Sequence, residues 1–231
     1  MAKPQPYYNS EGVRVPSVTT ILSGNLAWGK DGLLFWAWQQ GKDGLDFRES
    51  RDQAATTGTL AHQMVENWVS RGNPEILPGD GNEEVDLEIV MGAKNAFQAF
   101  QRWLQHHHVV VTEQEINCVS DKLNFGGRFD AVGTMDGIPT LFDWKTSKRI
   151  YSNYVLQVAA YRYLYHSTRP DAPEIQQACI VRIGKDGEFS YLVIDKEKLD
   201  WAWQAFKALL AIHPKQYELD KFVKTAVHSI S

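Results

Sequence analysis

The sequence contains only two cysteines, Cys118 and Cys179, among its 231 residues. Two thiols are too few for a disulfide framework, for a zinc site made of cysteines alone or for a four-cysteine iron–sulfur cluster. No run of about 18 apolar residues occurs, so no segment is predicted to span a membrane. Residues 1–6 lack the apolar stretch of a signal peptide, and we therefore expect a reducing, cytoplasmic location.

The chain also lacks a marked excess of charge of either sign. Its 24 Lys and Arg residues against 28 Asp and Glu residues give a net charge of −4. This balance argues against bulk electrostatic binding of nucleic acid, which requires clusters of basic residues. It leaves room for a local basic groove, because the distribution of charge matters more than its sum.

Hydrophobic periodicity predicts an α/β fold. Helical periodicity occurs in residues 33–38, 58–69, 83–108, 151–166 and 196–212. Strand-like alternation occurs in residues 109–119, 124–134, 139–146, 175–183 and 189–194, and residues 7–22 resemble an extended arm that leads into a capped turn. This order predicts a central mixed β-sheet flanked by helices. We expect a single domain over residues 1–231, with an N-terminal arm at about 1–30 and the core at about 55–195.

A predicted β-hairpin carries the most informative polar residues. Asp136-Gly137 is a strong signal for a two-residue type I′ turn. Counting outwards from this turn places Asp130 opposite Asp143, with Cβ atoms about 4.5–5.5 Å apart. Lys145 lies on the same face as Asp143, since alternate residues of a strand point to the same side. The hairpin is therefore predicted to bring two carboxylates and an ammonium group together.

Opposed carboxylates destabilise a hairpin unless something binds between them. A divalent cation is one candidate, and carboxylate oxygens suit Mg²⁺ or Mn²⁺. A nearby lysine can then orient or deprotonate a water molecule, or neutralise a developing charge. The alternative is that the acids lie apart on a solvated sheet face, and the spacing alone does not decide between the two.

Two further pairs have a spacing of four residues, which places each pair on one face of a helix. His62 could supply a nitrogen ligand that Glu66 orients, or it could be a half-buried histidine with a local hydrogen bond. Gln157 and Tyr161 could reach the phosphates or bases of a substrate, or they could form the edge of an amphipathic helix.

Two aromatic groups are interpreted as structural. Residues 106–108 are three consecutive histidines, which point in different directions on a helix and cannot chelate one ion well. They are predicted to form a solvated helix end, where a charged histidine suits the helix dipole. Trp201, Trp203 and Phe206 are predicted to be packing residues.

Together these residues resemble the RecB-like branch of the PD-(D/E)XK nuclease superfamily, and most closely its small stand-alone exonucleases, which include mitochondrial genome maintenance exonucleases and phage-encoded relatives. The resemblance covers about residues 7–165. It is carried by Gly58-Thr59-x-x-His62, Glu115, Gly127-x-x-Asp130, Asp143-x-Lys145-Thr146-Ser147, Gln157-x-x-x-Tyr161 and the arm Pro16-Ser17-Val18-Thr19. Phe129 stands where the family name has proline, and no Walker A motif is present, so any helicase would be a separate protein.

The resemblance implies a restriction-endonuclease-like core and a role for each matching residue. It implies metal ligation of Mg²⁺ or Mn²⁺, without an iron–sulfur cluster, by His62, Asp130, Asp143 and the backbone carbonyl of Trp144. It implies a catalytic group of Asp130, Asp143, Lys145 and Glu115, although the role of Glu115 is the least defined. It implies contacts to the substrate from Gln157, Tyr161, Thr146, Ser147, Ser17 and Thr19.

The function implied by this resemblance is that of a metal-dependent DNA exonuclease, acting on single strands or DNA ends in replication, repair or recombination. Its partner would be DNA, with a recombinase, a single-strand-binding protein or a polymerase as candidate protein partners, in the cytoplasm of a bacterial or phage-infected cell and not at a membrane. A catalytically idle DNA-binding module and an RNA nuclease are the alternatives. The intact Asp/Asp/Lys set argues against the idle module, because opposed carboxylates repel phosphate.

Overall fold

The computed structural model describes residues 6–28, 30–75 and 86–227. Its secondary structure elements follow in chain order: β1 (Tyr7–Tyr8), β2 (Arg14–Val15), α1 (Val18–Asn25), α2 (Lys30–Lys42), α3 (Phe47–Arg71), α4 (Leu87–Leu104), β3 (Val109–Ser120), β4 (Phe125–Met135), β5 (Ile138–Lys145), α5 (Ser152–Thr168), β6 (Gln177–Ile183), β7 (Phe189–Asp195) and α6 (Lys196–Ala226). The start of the predicted helix 83–108 lies outside the described residues.

Five strands form one mixed sheet in the order β3-β4-β5-β6-β7. Strands β5 and β6 are parallel, and the other neighbouring pairs are antiparallel. Helices cover both faces, so the predicted α/β fold with a central mixed sheet is confirmed. Strand β5 has neighbours on both sides, which places its polar residues in the interior of the molecule.

The sheet separates two hydrophobic cores. The α5–α6 core packs residues of α1, α5 and α6 against one face and includes Leu141, Leu164 and Phe206. The α3–α4 core packs α3 and α4 against the other face and includes Phe142 and Trp144. Because Leu141 faces one core while Phe142 and Trp144 face the other, strand alternation directs Asp143 and Lys145 towards α5.

Helix α2 extends by a few residues beyond the predicted 33–38, and two other helices extend much further beyond the limits predicted from periodicity. Helix α3 begins at Phe47 rather than near residue 58, with its N-terminus capped by the side chain of Asp46. Helix α6 continues past residue 212 to Ala226 and contains Pro214. Both extensions are largely exposed, and the extension of α6 contains Pro214, a residue that normally ends or kinks a helix.

The N-terminal arm is a two-stranded hairpin, β1–β2, followed by α1. The hydroxyl oxygen of Ser17 accepts a hydrogen bond from the backbone N–H of Thr20 and so caps α1. Ser17 also forms an isolated β-bridge with Gly126 of β4. The predicted extended segment and its cap are therefore confirmed, but the predicted turn is the start of a helix, and the arm is attached to the beginning of β4, an interior strand of the central sheet.

The predicted solvated helix end at residues 106–108 is wrong for His107. Its imidazole is only 13% exposed, and its Nδ1 lies 3.0 Å from Asp136 Oδ2. The ring also packs edge-on against Tyr191. Helix α4 ends at Leu104, so His107 lies beyond the helix. Its contacts with Asp136 and Tyr191 connect the β4–β5 turn to β7.

The packing role predicted for the tryptophans holds for only one of them. Phe206 is fully buried, and Trp203 stacks on Tyr163 with ring centroids 4.2 Å apart. Trp201 is 71% exposed, so the prediction is wrong for this residue. Among the residues that the structure describes, no helix combines the length and apolar character needed to cross a lipid bilayer.

Candidate active site

The β4–β5 hairpin has the predicted turn and register. Asp136 and Gly137 both have positive φ, 54° and 83°, as a type I′ turn requires. The paired residues run outwards from Met135 and Ile138 to Ala131 and Phe142. The next pair would be Asp130 and Asp143, so the two carboxylates lie at the point where regular pairing stops.

An irregularity at Asp130 redirects its side chain. Phe129 packs in the α5–α6 core whereas Ala131 packs in the α3–α4 core, although residues two apart on a strand normally face the same side. Glu115, which lies across from Asp130 on β3, has φ of 54° and falls between the paired residues Gln114 and Ile116. Such local breaks in strand alternation re-aim side chains next to functional sites.

The carboxylate of Asp130 bridges strand and helix. Its Oδ2 accepts a hydrogen bond of 2.6 Å from the backbone N–H of Trp144, which takes the place of ladder pairing at this position. Its Oδ1 lies 3.3 Å from Nδ1 of His62 on α3. His62 is therefore oriented by Asp130, and the prediction that Glu66 would orient it is wrong, because the true partner comes from another element.

Asp143 and Lys145 form an ion pair beneath α5. The Lys145 Nζ lies 2.7 Å from Asp143 Oδ2 and 4.7 Å from the ring centroid of Tyr154. Asp143 is only 2% exposed. In the described part of the chain, no donor makes a well-aligned hydrogen bond to Asp143 Oδ2, so this oxygen is held by charge and keeps an unused acceptor position.

Two glycines of the predicted motif allow helices to approach the site closely. A Cβ atom at Gly58 would come within 2.8 Å of Thr146 Oγ1, so glycine lets α3 pass next to the end of β5. A Cβ atom at Gly127 would come within 2.7 Å of Tyr161 Cε1, so glycine lets α5 lie on β4. The spacing between His62, the carboxylates and the α5 side chains depends on both contacts.

Gln157 and Tyr161 are both buried on α5, where their i, i+4 spacing lets the two side chains form a hydrogen bond. The Gln157 amide donates to the Tyr161 hydroxyl oxygen over 2.7 Å. The Tyr161 ring stacks on Phe129, with centroids 5.3 Å apart. Burial and the nearby Asp143 charge raise the Tyr161 pKa well above its usual value, so its hydroxyl stays protonated.

The buried carboxylates have pKa values that move in opposite directions. Burial raises the pKa of Asp143 to about 6, and the Asp130 charge adds to this effect while Lys145 opposes it. Burial acts on Asp130 in the same sense, but His62, Lys145 and the Trp144 N–H outweigh it and lower its pKa. Two acids in one site are thereby made different, as acid–base chemistry requires.

The pKa values of the two basic groups of the site are both raised. Burial alone would lower the pKa of His62, but the charge and hydrogen bond of Asp130 outweigh it, and the pKa is raised. Burial likewise disfavours the Lys145 ammonium, but the charges of Asp143 and Asp130 raise its pKa overall. In the absence of metal and substrate, each buried carboxylate therefore contacts a basic group whose pKa is raised.

Two cavities meet at this site and share His62, Arg128 and Asp130. The first has a volume of about 390 Å³, and besides the shared residues it is lined by Asp143, Lys145, Thr146, Ser147, Gln157, Tyr161 and neighbouring residues. The second has a volume of about 490 Å³ and is lined by residues that include Glu66 and Glu115. A third cavity of about 700 Å³, between α3 and α4, contains none of the predicted site residues.

The structure brings together most but not all of the predicted site residues. Thr146 and Ser147 line the 390 Å³ cavity. Glu115 lines the 490 Å³ cavity, where it forms an ion pair with Arg128. Ser17 and Thr19 line neither cavity, because the Ser17 hydroxyl caps α1 and contacts the Thr19 hydroxyl. The roles assigned to all these residues remain predictions.

Sequence reasoning assigned no role to several residues that the fold places at the site. Arg182 donates from Nε to the Ser147 carbonyl oxygen over 3.0 Å and so positions the loop after Lys145. Lys185 and Tyr154 line the smaller cavity. The parallel pairing of β5 with β6 aligns Arg182 with Lys145, and no local pattern reveals that contact.

The residues fit a divalent cation in their chemistry, although they are engaged with one another. Two carboxylates and an imidazole are suitable donors for Mg²⁺ or Mn²⁺, and the buried Asp143 Oδ2 has acceptor capacity left. Within residues 6–28, 30–75 and 86–227, no three His, Cys, Asp or Glu side chains are grouped so as to hold one ion. The Asp130–His62 and Asp143–Lys145 contacts account for this arrangement.

Comparisons with known proteins give a family match and several structural resemblances. The sequence profile of the PD-(D/E)XK nuclease superfamily matches residues 36–226. No curated protein matches the chain at a significant level.

Among solved structures, a presumed exonuclease from Eubacterium rectale is similar at 14% identity and a TM-score of 0.41, covering 66% of this chain and 64% of that chain. The chain thus spans less than two thirds of that protein. The alkaline exonuclease LHK-Exo from Laribacter hongkongensis is similar at 14% identity and a TM-score of 0.34, covering 72% and 93%. Its complex with dAMP gives 16% identity, a TM-score of 0.33 and coverage of 75% and 97%.

Proposed function

This chain belongs to the PD-(D/E)XK nuclease superfamily, and we propose that it is a metal-dependent deoxyribonuclease that hydrolyses the phosphodiester bonds of DNA as an exonuclease. Membership confirms the family and the restriction-endonuclease-like fold predicted from the sequence. The observation that carries the proposal is the meeting of Asp130, Asp143 and Lys145 at one point of the sheet.

PD-(D/E)XK nucleases generally use divalent metals, and this site offers suitable ligands. Asp130, Asp143, His62 and the carbonyl oxygen of Trp144 would hold Mg²⁺ or Mn²⁺. The bound ion would polarise the scissile phosphate and lower the pKa of a coordinated water molecule. His62 must be neutral to serve as a ligand, and the neutral ring keeps one N–H, so Nδ1 could still contact Asp130 while Nε2 binds the ion.

Lys145 is suited to act on the water molecule or on the developing charge. Its Nζ is held between Asp143 Oδ2 and the face of the Tyr154 ring, inside the 390 Å³ cavity. Its pKa is raised by Asp143 and Asp130 against the effect of burial, so it is a cation at neutral pH. A preorganised cation at this place would orient the nucleophile or stabilise charge on the phosphoryl oxygens.

Tyr161 and Gln157 would orient the substrate from α5. Because Gln157 donates its N–H to the Tyr161 oxygen, the hydroxyl proton of Tyr161 is free to be donated elsewhere. A phosphate oxygen in the smaller cavity, which both residues line, is a suitable acceptor. The family implies products with a 5′-phosphate and a 3′-hydroxyl.

Digestion of end-labelled substrates tests the proposal. Single-stranded DNA, double-stranded DNA and RNA of the same sequence, labelled at either end, are incubated with Mg²⁺, with Mn²⁺ or with EDTA. We expect progressive shortening of DNA with metal and none with EDTA. Asp143→Ala and Lys145→Ala should abolish it while retaining the circular dichroism spectrum of the wild type.

Three outcomes would contradict the proposal. Cleavage of RNA in preference to DNA would favour the RNA nuclease. Binding of DNA without cleavage under any metal condition would favour the idle binding module. Wild-type turnover in both alanine variants would remove Asp143 and Lys145 from the active site.

A further inference from the structure

The two cavities that meet at the site differ in charge. Cations of the 390 Å³ cavity outnumber its carboxylates, namely Arg128, Lys145 and Lys185 against Asp130 and Asp143. The 490 Å³ cavity has the reverse balance, with Glu66, Glu115 and Asp130 against Arg128. A phosphodiester backbone is therefore attracted to the first cavity and repelled by the second.

Lys185 lies where the smaller cavity adjoins the 700 Å³ cavity, and it lines both. It comes from the turn between β6 and β7, and the Asn95 amide fixes its backbone carbonyl oxygen over 3.0 Å. Its Nζ donates to the Ala54 carbonyl oxygen over 2.7 Å. No carboxylate of the described ranges forms an ion pair with it, and the neighbouring Asp186 pairs with Arg182 instead.

Arg128 lies at the other boundary of the smaller cavity, where it adjoins the acidic one. Its side chain is 53% exposed and pairs with Glu115. The guanidinium has five N–H donors, so a phosphate can bind it while Glu115 still fixes its position. Arg128 precedes Asp130 by two residues on β4, which places it beside the predicted metal ligand.

We propose that the substrate backbone crosses the 390 Å³ cavity and that Arg128 and Lys185, at its two boundaries, each bind a phosphate next to the scissile one. This inference rests on the proposed function. It adds two positioning residues that bind the backbone on either side of Lys145, and it assigns the acidic cavity to the side of the site that the strand avoids. Contacts of this kind carry no base specificity.

Salt dependence of binding separates a phosphate contact from a structural role. Each lost contact to a single strand should reduce the slope of log affinity against log salt concentration by about 0.7. The measurement is fluorescence anisotropy of a labelled single-stranded oligodeoxynucleotide in EDTA over a series of NaCl concentrations. Lys185→Gln and Arg128→Gln are the test variants, and Arg128→Lys, which retains the charge, should keep the slope.

Lys122→Gln is the matched control, because Lys122 is an exposed lysine of the β3–β4 turn that lines neither cavity. We expect Lys185→Gln and Arg128→Gln to weaken binding by roughly threefold to tenfold, uniformly across base sequences, and Lys122→Gln to match the wild type. In the cleavage assay, Lys185→Gln should raise KM more than it lowers kcat.

The outcomes separate this inference from the proposed function. If the wild type cleaves DNA but all variants share its salt slope, the strand path is wrong and the nuclease assignment stands. If the wild type binds with a slope that depends on Lys185 and Arg128 yet never cleaves, the path stands and the nuclease assignment fails. Absence of any binding by the wild type overturns the strand path.

Discussion

At the scale of single residues, each buried carboxylate of the site contacts a basic group, one from another element and one from the same strand. Asp130 holds His62, and Lys145 holds Asp143. A divalent cation that binds the carboxylates would have to compete with these groups. The affinity for metal should therefore depend on the protonation of four side chains rather than on the carboxylates alone.

Asp143→Asn should stabilise the metal-free protein at neutral pH but not in acid. The pKa of Asp143 is about 6 in the folded protein against a usual 3.8. The folded state thus binds more protons between these values, and the free energy of unfolding falls as pH rises from about 4 to 6. The variant should gain on the order of 3 kcal/mol over the wild type above pH 6, with no gain near pH 4.

Urea unfolding in EDTA at acidic and neutral pH measures this effect, and Asp130→Asn is the matched control. The pKa of Asp130 is lowered in the folded protein. Its ionised form therefore stabilises the fold at pH values above the usual pKa of aspartate. Asp130→Asn should therefore destabilise the protein at neutral pH, opposite in sign to Asp143→Asn. If both variants lose stability at neutral pH, the ionised form of Asp143 does not destabilise the folded protein.

His62→Ala should raise the concentration of Mn²⁺ needed for half-maximal cleavage, by about tenfold or more. In the wild type this requirement should rise further as pH falls, because Asp130 raises the pKa of His62 and a protonated imidazole cannot bind metal. The variant should lose this part of the pH dependence. Superimposable Mn²⁺ activation curves for wild type and variant would remove His62 from the metal ligands.

Sequence reasoning found His62 but not its partner. The i, i+4 rule compares residues within one helix, and on that basis Glu66 was the only candidate. The observed partner, Asp130, comes from β4 and reaches His62 because the strand irregularity turns its side chain. Contacts between elements of this kind depend on tertiary geometry and leave no local pattern.

At the scale of elements, the β4–β5 hairpin was the most predictable part of the site. Asp136-Gly137 fits few turns other than type I′, and a two-residue turn fixes the register of both strands. The break at Glu115 and Asp130 was not predictable, since glutamate is not a residue that signals the positive φ that Glu115 adopts within its strand. The acids therefore meet in the predicted register but not as a regular opposed pair.

Gly58→Ala should disturb the contact between α3 and the end of β5. The added Cβ would meet Thr146 Oγ1 at 2.8 Å but Thr146 Cβ only at 4.0 Å. Removal of Oγ1 should therefore relieve the clash, so Thr146→Ala should restore stability in the Gly58→Ala background. We expect a coupling of about 1 kcal/mol in a double-mutant cycle measured by thermal unfolding. Additive effects of the two substitutions would mean that α3 does not rest on Thr146.

At the scale of the whole molecule, divalent metal should stabilise the fold through the site. A ligand that binds only the folded state at 100 times its Kd adds about 2.7 kcal/mol to the free energy of unfolding. Mg²⁺ or Mn²⁺ should raise the Tm of the wild type but not that of the Asp130→Asn/Asp143→Asn double variant. Lys145→Gln retains both carboxylates and should keep the shift, whereas an equal shift in all proteins would place the ion elsewhere.

The architecture was predictable from the order of elements, because strands and amphipathic helices in this sequence leave few packings other than a mixed sheet with helices on both faces. The extent of α3 and α6 was not, since their outer parts are solvated on all sides. The excess of positive charge in the 390 Å³ cavity was likewise hidden, because Lys185 reaches the site only through the pairing of β5 with β6.

The hydrogen bond from the Trp144 amide to Asp130 gives this site its own spectroscopic reporter. Most amides in the middle of a sheet donate to a backbone carbonyl, whereas this one donates to a carboxylate over 2.6 Å. Its proton resonance should therefore move when Asp130 is protonated or takes a cation, while neighbouring amides of β5 stay in place. Occupancy of the site can then be followed by NMR at one backbone position, without substrate and without turnover.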